Sequence, residues 1–377
     1  MNCSASLYIH IPFCNSLCDY CDFFSEKKSK YSENYIDSYL YTIINDIKNQ
    51  IKFFGINEIP TVYIGGGTPS VLGKKIKILF DFLKTIPDFS PVEFTIEANP
   101  ESADEEFLEI CRKGGINRIS LGMQTFFQPS RKAVNRIGDI DLLHERLTLA
   151  CNYFPDTVSV DLITGLPYQN EKIILDDINH LLSFPVKHIS LYSLSVEDNT
   201  PLKNKVINKT VILPEKEYAD SLWLIGAEAI KKSGFDHYEI SNFALNGKRC
   251  LHNLRYWQML NWFACGPSAS GTIINEKTCS AKRYTYVDDI DSYIKKPFIS
   301  NAECEELNKN VFLKDCLLMG FRCKDGLDSK IFYKRFGITV EECIPVTLEL
   351  WKNKDKMLFL NQFLSDIFSE LDHKSLF

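Results

Sequence analysis

The 377-residue sequence has no apolar run that approaches about 18 residues, the length that a membrane span requires. Its opening stretch, MNCSASLYIH, has neither the basic residues nor the apolar segment of a secretory signal. It also contains no low-complexity tract and no clear short-period repeat. From these absences we expect a cytoplasmic protein without a membrane span.

An excess of positive charge is also missing. The chain has 43 lysines and arginines against 49 aspartates and glutamates, which gives a formal net charge of −6 at pH 7. We therefore expect no nucleic-acid partner, although a local basic patch is compatible with this balance. Hydrophobic residues make up 45% of the chain, enough for a large core, and the length suggests two or more domains or one large domain.

Disulfide bonds are not expected either. The 13 cysteines are an odd number and most of them are scattered singly, as in proteins that keep free thiols in a reducing compartment. The exception is the stretch HIPFCNSLCDYCDFF, which brings Cys14, Cys18 and Cys21 close together in sequence. In a reducing compartment, cysteines clustered in this way are metal ligands or redox groups more often than disulfide partners.

Short β-rich and helical patterns alternate along the N-terminal half of the chain. Hydrophobic residues at helical spacing form one stripe from Ile36 to Ile51 and another from Ile76 to Leu83. The β-rich runs are LYIHIPF (7–13), TVYIGGG (61–67), EFTIEANP (93–100), RISLGMQ (118–124), TVSVDLITGLP (157–167) and HISLYSLSVE (188–197). This alternation predicts a parallel sheet with crossover helices.

Polar residues collect toward the carboxyl end of each run, which favours one fold class. In a (β/α) barrel these ends meet at one mouth, where the chemistry takes place. We predict an α/β protein with a partial, TIM-like (β/α)6 barrel and a small, mainly helical C-terminal domain. An open, doubly wound sheet would also gather residues at the strand ends and is the alternative. The predicted parts are the barrel at 1–215, an extension at 216–290 and a C-terminal helical module at 291–377.

The cysteine spacing alone leaves the identity of the metal open. A structural zinc ion needs four ligands, and His10 could complete a Cys3His set. Most iron–sulfur clusters are held by four thiolates, so three thiolates leave one iron with an open coordination position. An open position is typical of a metal site that accepts a ligand.

The stretch YIHIPFCNSLCDYCDF resembles the signature of the radical S-adenosylmethionine (SAM) superfamily, C-x3-C-x2-C with an aromatic residue before the last cysteine, here Tyr20. The resemblance implies that Cys14, Cys18 and Cys21 hold a [4Fe-4S] cluster, and that the amine and carboxylate of SAM bind the fourth iron. In that family, one electron from the cluster cleaves the SAM sulfonium and yields a 5′-deoxyadenosyl radical. The protein binds and orients the reactants and excludes water.

The same resemblance implies a set of residues that contact SAM. The loop VYIGGGTPS is neither a Rossmann fingerprint nor a P-loop, and a tight turn alone would explain it, but in the family this loop holds the methionyl amino group. Glu97 suits ribose hydroxyls, while Gln124 and Arg136 suit the adenosyl and carboxylate groups. Taken singly, Glu97 could be a surface acid and Arg136 a solvated helix residue. Asp161 lies in an apolar run, so we expect it to have a partner. The candidate SAM contacts are Tyr8, Gly66, Gly67, Thr68, Glu97, Gln124, Arg136 and Asp161.

The order of motifs through most of the first 245 residues narrows the resemblance to the coproporphyrinogen dehydrogenase-like branch. These motifs are YIHIPFC, GGGTP, IEANPE, RISLGMQTF, DLITGLP and YEISNF. The branch contains the oxygen-independent coproporphyrinogen III dehydrogenases and the haem chaperone family, HemW. The dehydrogenases have a fourth cysteine where this chain has Phe23, and the chaperones carry the motif H-N-x-x-Y-W, here HNLRYW. Both features favour the haem chaperones.

The resemblance to the haem chaperones also implies a haem site. Its candidate residues are His252, Asn253, Tyr256 and Trp257. Cys250 would share the face of His252 if this stretch is extended, which makes it a further candidate for the iron ligand. Arg249 and Arg255 could meet the propionates. Without the resemblance, a packed corner with His252 hydrogen-bonded to the backbone is the favoured interpretation.

The haem chaperone family implies haem as the ligand and haem-accepting respiratory membrane proteins as partners, and leaves transient membrane association and a homodimer open. Two other functions remain. One is oxidative decarboxylation of coproporphyrinogen III by a radical SAM dehydrogenase. The other is a radical enzyme that acts on tRNA or DNA through the C-terminal module, which contains DSKIFYKRF. The overall acidity of the chain argues against the second.

Overall fold

The computed structural model describes residues 3–245 and 247–374. The strands of this part of the chain are β1 Cys3–Ser4, β2 Ser6–Ile11, β3 Phe13–Cys14, β4 Glu26–Lys27, β5 Ile56–Glu58, β6 Thr61–Gly66, β7 Glu93–Ala98, β8 Arg118–Gln124, β9 Val158–Thr164, β10 His188–Ser193, β11 Asp236–Glu239, β12 Asn242–Ala244, β13 Trp262–Cys265, β14 Ser270–Asn275, β15 Ser280–Tyr286 and β16 Ala302–Leu307. The α-helices are α1 Glu33–Phe54, α2 Lys77–Leu83, α3 Glu105–Gly114, α4 Gln128–Ala133, α5 Ile140–Tyr153, α6 Glu171–Leu182, α7 Pro201–Ile207, α8 Lys216–Lys232, α9 Leu251–Trp257, α10 Ile290–Lys295, α11 Lys309–Gly320, α12 Ser329–Phe336, α13 Val340–Cys343, α14 Pro345–Leu350 and α15 Leu360–Asp372.

Twelve of these strands form one sheet in the order β11-β12-β10-β9-β8-β7-β6-β2-β13-β14-β15-β16. The six strands β2, β6, β7, β8, β9 and β10 are parallel neighbours. Because they follow one another in chain order without a reversal, the sheet is wound in one direction, and the doubly wound alternative is wrong. The predicted partial barrel with a large, mainly parallel sheet is confirmed. Within the described chain, the edge strands β11 and β16 do not pair with each other, so the barrel stays open.

Side chains alternate along the parallel strands, as the period of a β-strand requires. One set is apolar, buried and packed in the main core: Leu7, Ile9, Val62, Ile64, Phe94, Ile96, Ile119, Leu121, Val158, Val160, Ile189 and Leu191. The other set faces the barrel interior and is polar: Ser6, Tyr8, His10, Thr61, Tyr63, Glu93, Thr95, Glu97, Arg118, Ser120, Ser159, Asp161, His188 and Ser190. A TIM barrel normally fills its centre with Val, Ile and Leu, so a polar interior is suited to holding a ligand.

The long helix α1 shows how the sequence produces the outer layer. Ser32 caps its first turn by accepting a hydrogen bond from the Tyr35 amide, and Gly55, with a φ of 63°, ends it in a left-handed conformation. The predicted stripe from Ile36 to Ile51 lies within the helix, and its members Ile36, Leu40, Ile43, Ile44 and Ile47 are buried against the sheet.

The segment predicted as an extension, 216–290, adds strands to both sides of the parallel strands. β12 pairs antiparallel with β10 and β11 pairs with β12, while β13 pairs parallel with β2 on the far side. The stretch that follows Cys250 is the helix α9, with Cys250 as its N-cap residue. The condition under which Cys250 and His252 would share one face, an extended stretch, is therefore not met.

The C-terminal part is mainly helical, as predicted. Helices α11 to α15 surround a second apolar cluster that includes Phe312, Leu317, Phe363 and Ile367 together with Trp262 from β13. The stretch DSKIFYKRF forms α12, which buries Phe332, Arg335 and Phe336. Among residues 3–245 and 247–374, none of the helices has the length and apolarity to cross a membrane.

Candidate functional site

Of the three clustered cysteines, Cys14 ends β3, and Cys18 and Cys21 follow on an irregular loop at the carboxyl ends of the parallel strands. Cys14 is buried with its sulfur 3.3 Å from Thr68 Oγ1, and Cys18 Sγ lies 3.3 Å from Arg136 Nη1. Burial, together with neighbouring Cys18 and Cys14, raises the pKa of the Cys21 thiol to about 11. Across the described residues, no three Cys, His, Asp or Glu side chains converge at metal-binding distance, so the thiols lie near one another without forming a closed cage.

His10 does not complete a zinc site in this fold. Its Nε2 lies 2.9 Å from the carbonyl oxygen of Phe24, and its Nδ1 lies 3.1 Å from the hydroxyl of Tyr8. Burial lowers the pKa of His10 to about 4, so the ring is neutral, and Nε2 donates while Nδ1 accepts. With both nitrogens engaged, His10 holds the Tyr8 hydroxyl in place, and the Cys3His alternative lacks its fourth ligand.

A chain of hydrogen bonds connects the sulfurs of Cys14 and Cys18. Thr68 Oγ1, beside Cys14, accepts a hydrogen bond of 2.8 Å from Asn99 Nδ2. Asn99 Oδ1 in turn accepts one of 2.6 Å from Arg136 Nη2, and Arg136 contacts Cys18. Asn99 was missing from the predicted set. Its position in IEANPE, directly after β7, was the available signal, because it places an amide at the mouth.

The glycine loop at residues 65–67 lets the backbone lie close to the Cys14 thiol. A Cβ at Gly67 would lie 2.9 Å from Cys14 Sγ, so a larger residue would displace the thiol. The amide of Gly66 donates to Glu97, that of Gly67 to Ile11 O, and that of Thr68 to Phe13 O. These three amides are therefore already used within the protein. The carbonyl oxygens are the groups that suit an amine, because an amine is a donor.

Two predicted acids lie inside the barrel. Glu97 accepts hydrogen bonds from the Tyr63 hydroxyl (2.8 Å) and the Gly66 amide (3.1 Å), and burial raises its pKa to about 7. Asp161 has the partner that we expected: Ser120 Oγ donates to its carboxylate at 3.3 Å, and burial raises its pKa. The charge of Asp161 also raises the pKa of Glu97, so the two carboxyls lie near each other in one chamber.

Gln124 ends β8 in a strained conformation, with a φ of 68°, and the register of β8 on β9 shifts between Gly122 and Gln124. Arg131, fully buried and absent from the predicted set, donates to the carbonyls of Met123 (2.7 Å) and Thr125 (3.1 Å) on either side of it. A buried arginine aimed at strand-end carbonyls depends on the tertiary fold, so no sequence signal marked it.

The mouth fits the cluster and SAM that the sequence resemblance implies. Arg136 is buried rather than solvated on a helix, and its Nε atom has no partner; Gln124 Oε1 is likewise buried without one. Buried polar atoms without partners are uncommon in folded proteins and mark places where a ligand or water binds. The opening is thus lined by three kinds of group. The thiols supply sulfur ligands, the Arg136 side chain supplies a cation, and Gln124 Oε1 and the Glu97 carboxylate supply hydrogen-bond acceptors.

The HNLRYW motif lies at the opposite end of the barrel, where α9 packs on the amino ends of the strands. The His252 ring is buried, with Nδ1 2.8 Å from Thr61 Oγ1 and Nε2 2.7 Å from the Tyr256 hydroxyl. Its backbone amide donates to Glu93 at 2.8 Å. Burial lowers the pKa of His252 to about 3. His252 thus lies in a packed corner, as the interpretation without the resemblance expected. The partners of its ring are side-chain hydroxyls and not the backbone.

The neighbouring candidates are engaged as well. Cys250 is buried with its sulfur 3.4 Å from Glu93, and burial raises its pKa. Arg249 forms ion pairs with Asp325 (2.6 Å) and Asp236 (2.8 Å). Arg255 donates to Ser6. In this conformation neither arginine is free to meet a propionate.

Trp257 and Asn253 lie on a different face of α9 from His252 and Tyr256, because residues four apart share a helix face. Trp257 Nε1 is buried beside the Glu239 carboxyl and opposes the rise in the pKa of that group, and the Arg322 guanidinium lies over the Trp257 ring, 5.5 Å from its centroid. The motif is thus divided between an inner pair, His252 and Tyr256, which contact each other, and an outer pair, Asn253 and Trp257, on another face of α9.

Comparison with known proteins agrees with this geometry. Residues 8–181 match the family model described as the radical SAM superfamily. The chain is 31% identical to heme chaperone HemW of Bacillus subtilis, over 91% of this chain and 90% of that protein. It is 30% identical to heme chaperone HemW of Lactococcus lactis, over 89% and 86%. The structure of coproporphyrinogen III oxidase (HemN) from Escherichia coli, a radical SAM enzyme, superposes with a TM-score of 0.79 at 18% identity, over 97% of this chain and 90% of that one. At that identity the last match establishes the fold alone.

Proposed function

The chain belongs to the HemW family of radical SAM proteins, and from this premise we propose that it is a haem chaperone with a [4Fe-4S] cluster and a SAM site. It binds haem and delivers it to haem proteins of the respiratory membrane. The observation that carries the proposal is the similarity to proteins named heme chaperone HemW along most of both chains.

Membership of the radical SAM superfamily implies the cluster and SAM, and the mouth supports their placement. We propose that Cys14, Cys18 and Cys21 ligate the cluster. When bound, the cluster and SAM supply one-electron chemistry at the sulfonium. Around them, Arg136 beside Cys18 balances thiolate charge, and the bonds through Asn99 and Thr68 keep the loop in position.

The remaining SAM contacts follow from the chemistry of the chamber. Glu97, a carboxyl that already accepts two hydrogen bonds, is suited to ribose hydroxyls. Gln124 offers an unpartnered acceptor to a ligand N–H group. Tyr8 and Asp161 complete the walls, and both are held by hydrogen bonds to neighbouring side chains.

For haem, the HNLRYW helix supports a site outside the barrel. His252 and Tyr256 satisfy each other inside the protein, so iron coordination by His252 would require α9 to release Thr61 or Tyr256. Asn253 and Trp257 need no such change, because they lie on the partly exposed face. We therefore propose that haem binds against this face, and that His252 holds the helix in place.

Transfer of haem tests the proposal. Haem-loaded, cluster-reconstituted protein is mixed anaerobically with vesicles that contain the haem-free form of a b-type respiratory protein, and absorbance follows the haem. Faster transfer than from haem-loaded serum albumin is the expected result. No haem binding, or transfer no faster than from albumin, would contradict the proposal.

The dehydrogenase remains the alternative, and the same preparation separates the two functions. Position 23 carries an exposed phenylalanine, so no fourth thiol is present there. With coproporphyrinogen III, SAM and a reductant, we expect no decarboxylated product by mass spectrometry. Turnover of that substrate would favour the dehydrogenase. The proposal also includes a homodimer, which light scattering would test. It includes transient contact with a membrane, which the vesicle assay would test.

A further inference from the structure

The cysteine loop, residues 15–22, contains neither a helix nor a strand. Its own residues, all of which the structure describes, form one backbone hydrogen bond with each other, from the Cys21 amide to the Cys18 carbonyl at 3.2 Å. A loop with so little internal structure keeps a fixed shape only where other elements hold it. The positions of the Cys18 and Cys21 thiols therefore depend on contacts made outside the loop.

Asp19 anchors the centre of the cysteine loop to two distant parts of the chain. Its amide donates to the Val134 carbonyl at 3.0 Å, and its carbonyl accepts a hydrogen bond of 2.8 Å from the Leu202 amide. Its carboxylate forms an ion pair with Lys205 on α7, and Lys205 Nζ also donates to the Ala133 carbonyl at 3.1 Å. The loop is thus held between the end of α4 and the helix α7.

Helix α7 is itself fixed to the barrel. Thr200 caps its first turn by accepting a hydrogen bond from the Lys203 amide. Leu202 is fully buried in an apolar cluster with Val134 and with Ile163 of β9. Because this cluster joins α7 to the end of α4 and to a strand of the sheet, Lys205 holds the cysteine loop from a rigid base.

The ion pair also sets the charge beside a cluster ligand. Asp19 directly follows Cys18, and its side chain is only 10% exposed, while that of Lys205 is 37% exposed. Charges that are partly removed from water act on their neighbours more strongly than charges in bulk water. An unbalanced Asp19 carboxylate would add negative charge next to the thiols, and the Lys205 ammonium offsets it.

We propose that Lys205 is a positioning residue for the [4Fe-4S] cluster and acts through Asp19. It keeps Cys18 and Cys21 in place as ligands, and its positive charge makes it easier for the cluster to accept an electron, because the reduction potential of a cluster depends on the net charge around it. The spacing C-x3-C-x2-C leaves position 19 free, so the motif assigns no role to this pair. This inference rests on the proposed function, since it requires the cluster.

The midpoint reduction potential of the reconstituted cluster, followed by electron paramagnetic resonance in an anaerobic redox titration, tests the charge. Lys205→Met leaves the Asp19 carboxylate unbalanced, so the potential should become more negative than in wild type. Asp19→Asn leaves the ammonium unbalanced, so the potential should become more positive. The double variant removes both charges and should return toward the wild-type potential. A loop that was merely loosened would not give shifts of opposite sign.

Retention of the cluster tests the position of the loop. Lys205→Met should lose its cluster iron to a ferrous chelator about tenfold faster than wild type, because a group that orients metal ligands has been removed. Lys205→Arg keeps the charge and the reach and should restore most of the retention. Lys203→Met is the matched control, since Lys203 lies on the same helix and pairs with the exposed Asp198.

The outcomes separate this inference from the proposed function. If folded Lys205→Met and Asp19→Asn keep the wild-type potential, or shift it in the same direction, the inference is wrong while the cluster stands. A wild-type rate of iron loss in Lys205→Met would also contradict it. If wild type itself takes up no cluster, the cluster part of the proposed function fails and the inference fails with it. Circular dichroism confirms folding, and Asp19→Asn with its expected positive shift carries the test if Lys205→Met does not fold.

Discussion

At the carboxyl ends of the parallel strands, Arg136 and Gln124 keep buried polar atoms without a partner, whereas at the amino ends both ring nitrogens of His252 have one. The same barrel therefore leaves polar groups available at one end and uses them for packing at the other. A sequence motif at the second end need not contact its ligand through its most reactive side chain. In the proposed haem site, that role passes to the outer face of α9 with Trp257.

The largest difference between the two ends should appear when the cysteines are removed. Cys14, Cys18 and Cys21 all changed to Ala should abolish the iron–sulfur absorbance after anaerobic reconstitution, because the other ten of the 13 cysteines are scattered along the sequence. Cys304→Ala, an exposed thiol elsewhere, should reconstitute like wild type. Full cluster absorbance in the triple variant would place the cluster outside the mouth.

Removing a ring at the packed end should instead affect stability. His252→Ala leaves Thr61 and Tyr256 without their partner and opens a cavity, so the free energy of unfolding should fall by about 2–4 kcal/mol. At the open end, Gln124→Ala removes an unpartnered acceptor and should cost less than about 1 kcal/mol. Urea unfolding of the two variants makes the comparison. Equal losses would show that the two ends are not built differently.

The network at the mouth should matter for ligand binding more than for folding. Asn99→Ala breaks the connection between Thr68 and Arg136, and the affinity of the reconstituted protein for SAM should fall about tenfold, or roughly 1.4 kcal/mol. Calorimetric titration measures it, with the exposed Asn34→Ala as control. Unchanged SAM affinity in Asn99→Ala would remove the network from the SAM site.

The packed end should also affect the pH dependence of stability. The folded pKa of His252 is lowered to about 3, so its contribution is fully present above pH 6.5 and is lost as the pH falls below that value, where the unfolded chain takes up a proton. Between pH 6.5 and 5 this amounts to about 2 kcal/mol. Buried carboxyls such as Glu97 and Glu239 act in the opposite direction, since their folded pKa values are raised.

The matched variant His252→Gln separates the contribution of His252 to the pH dependence of stability from that of the buried carboxyls. Its unfolding free energy, measured at pH 7 and pH 5, should fall less on acidification than that of wild type, by about 2 kcal/mol. A parallel fall in both proteins would mean that His252 is accessible to protons in the folded state.

Local sequence pattern was sufficient to predict the parallel strands and the helices between them. RISLGMQ was predicted as a strand at 118–124 and forms β8 at those residues, because alternating apolar side chains and the flanking turns are local signals. Pairing between distant segments was not readable: β13 joins β2 across more than half of the chain. The helical form of HNLRYW was also missed, since a short helix held by Glu93 and Thr61 depends on tertiary contacts.

The candidate site shows the same division. Cysteine spacing and motif order identified the mouth, because ligand chemistry at that site lies within short stretches of sequence. Asn99 and Arg131 were not selected, because their contacts depend on how the chain folds at the mouth. The hydrogen-bond partners of the His252 ring could not be predicted either. They are Thr61 on β6 and Tyr256 on its own helix.

A haem titration of two variants tests the separation of the two ends most directly. The account predicts that the Cys14/Cys18/Cys21→Ala protein binds haem with the wild-type affinity, within about twofold, and that cluster-loaded Trp257→Phe binds it several-fold more weakly. Loss of haem binding in the triple-cysteine variant, with wild-type affinity in Trp257→Phe, would place haem at the mouth and contradict the account.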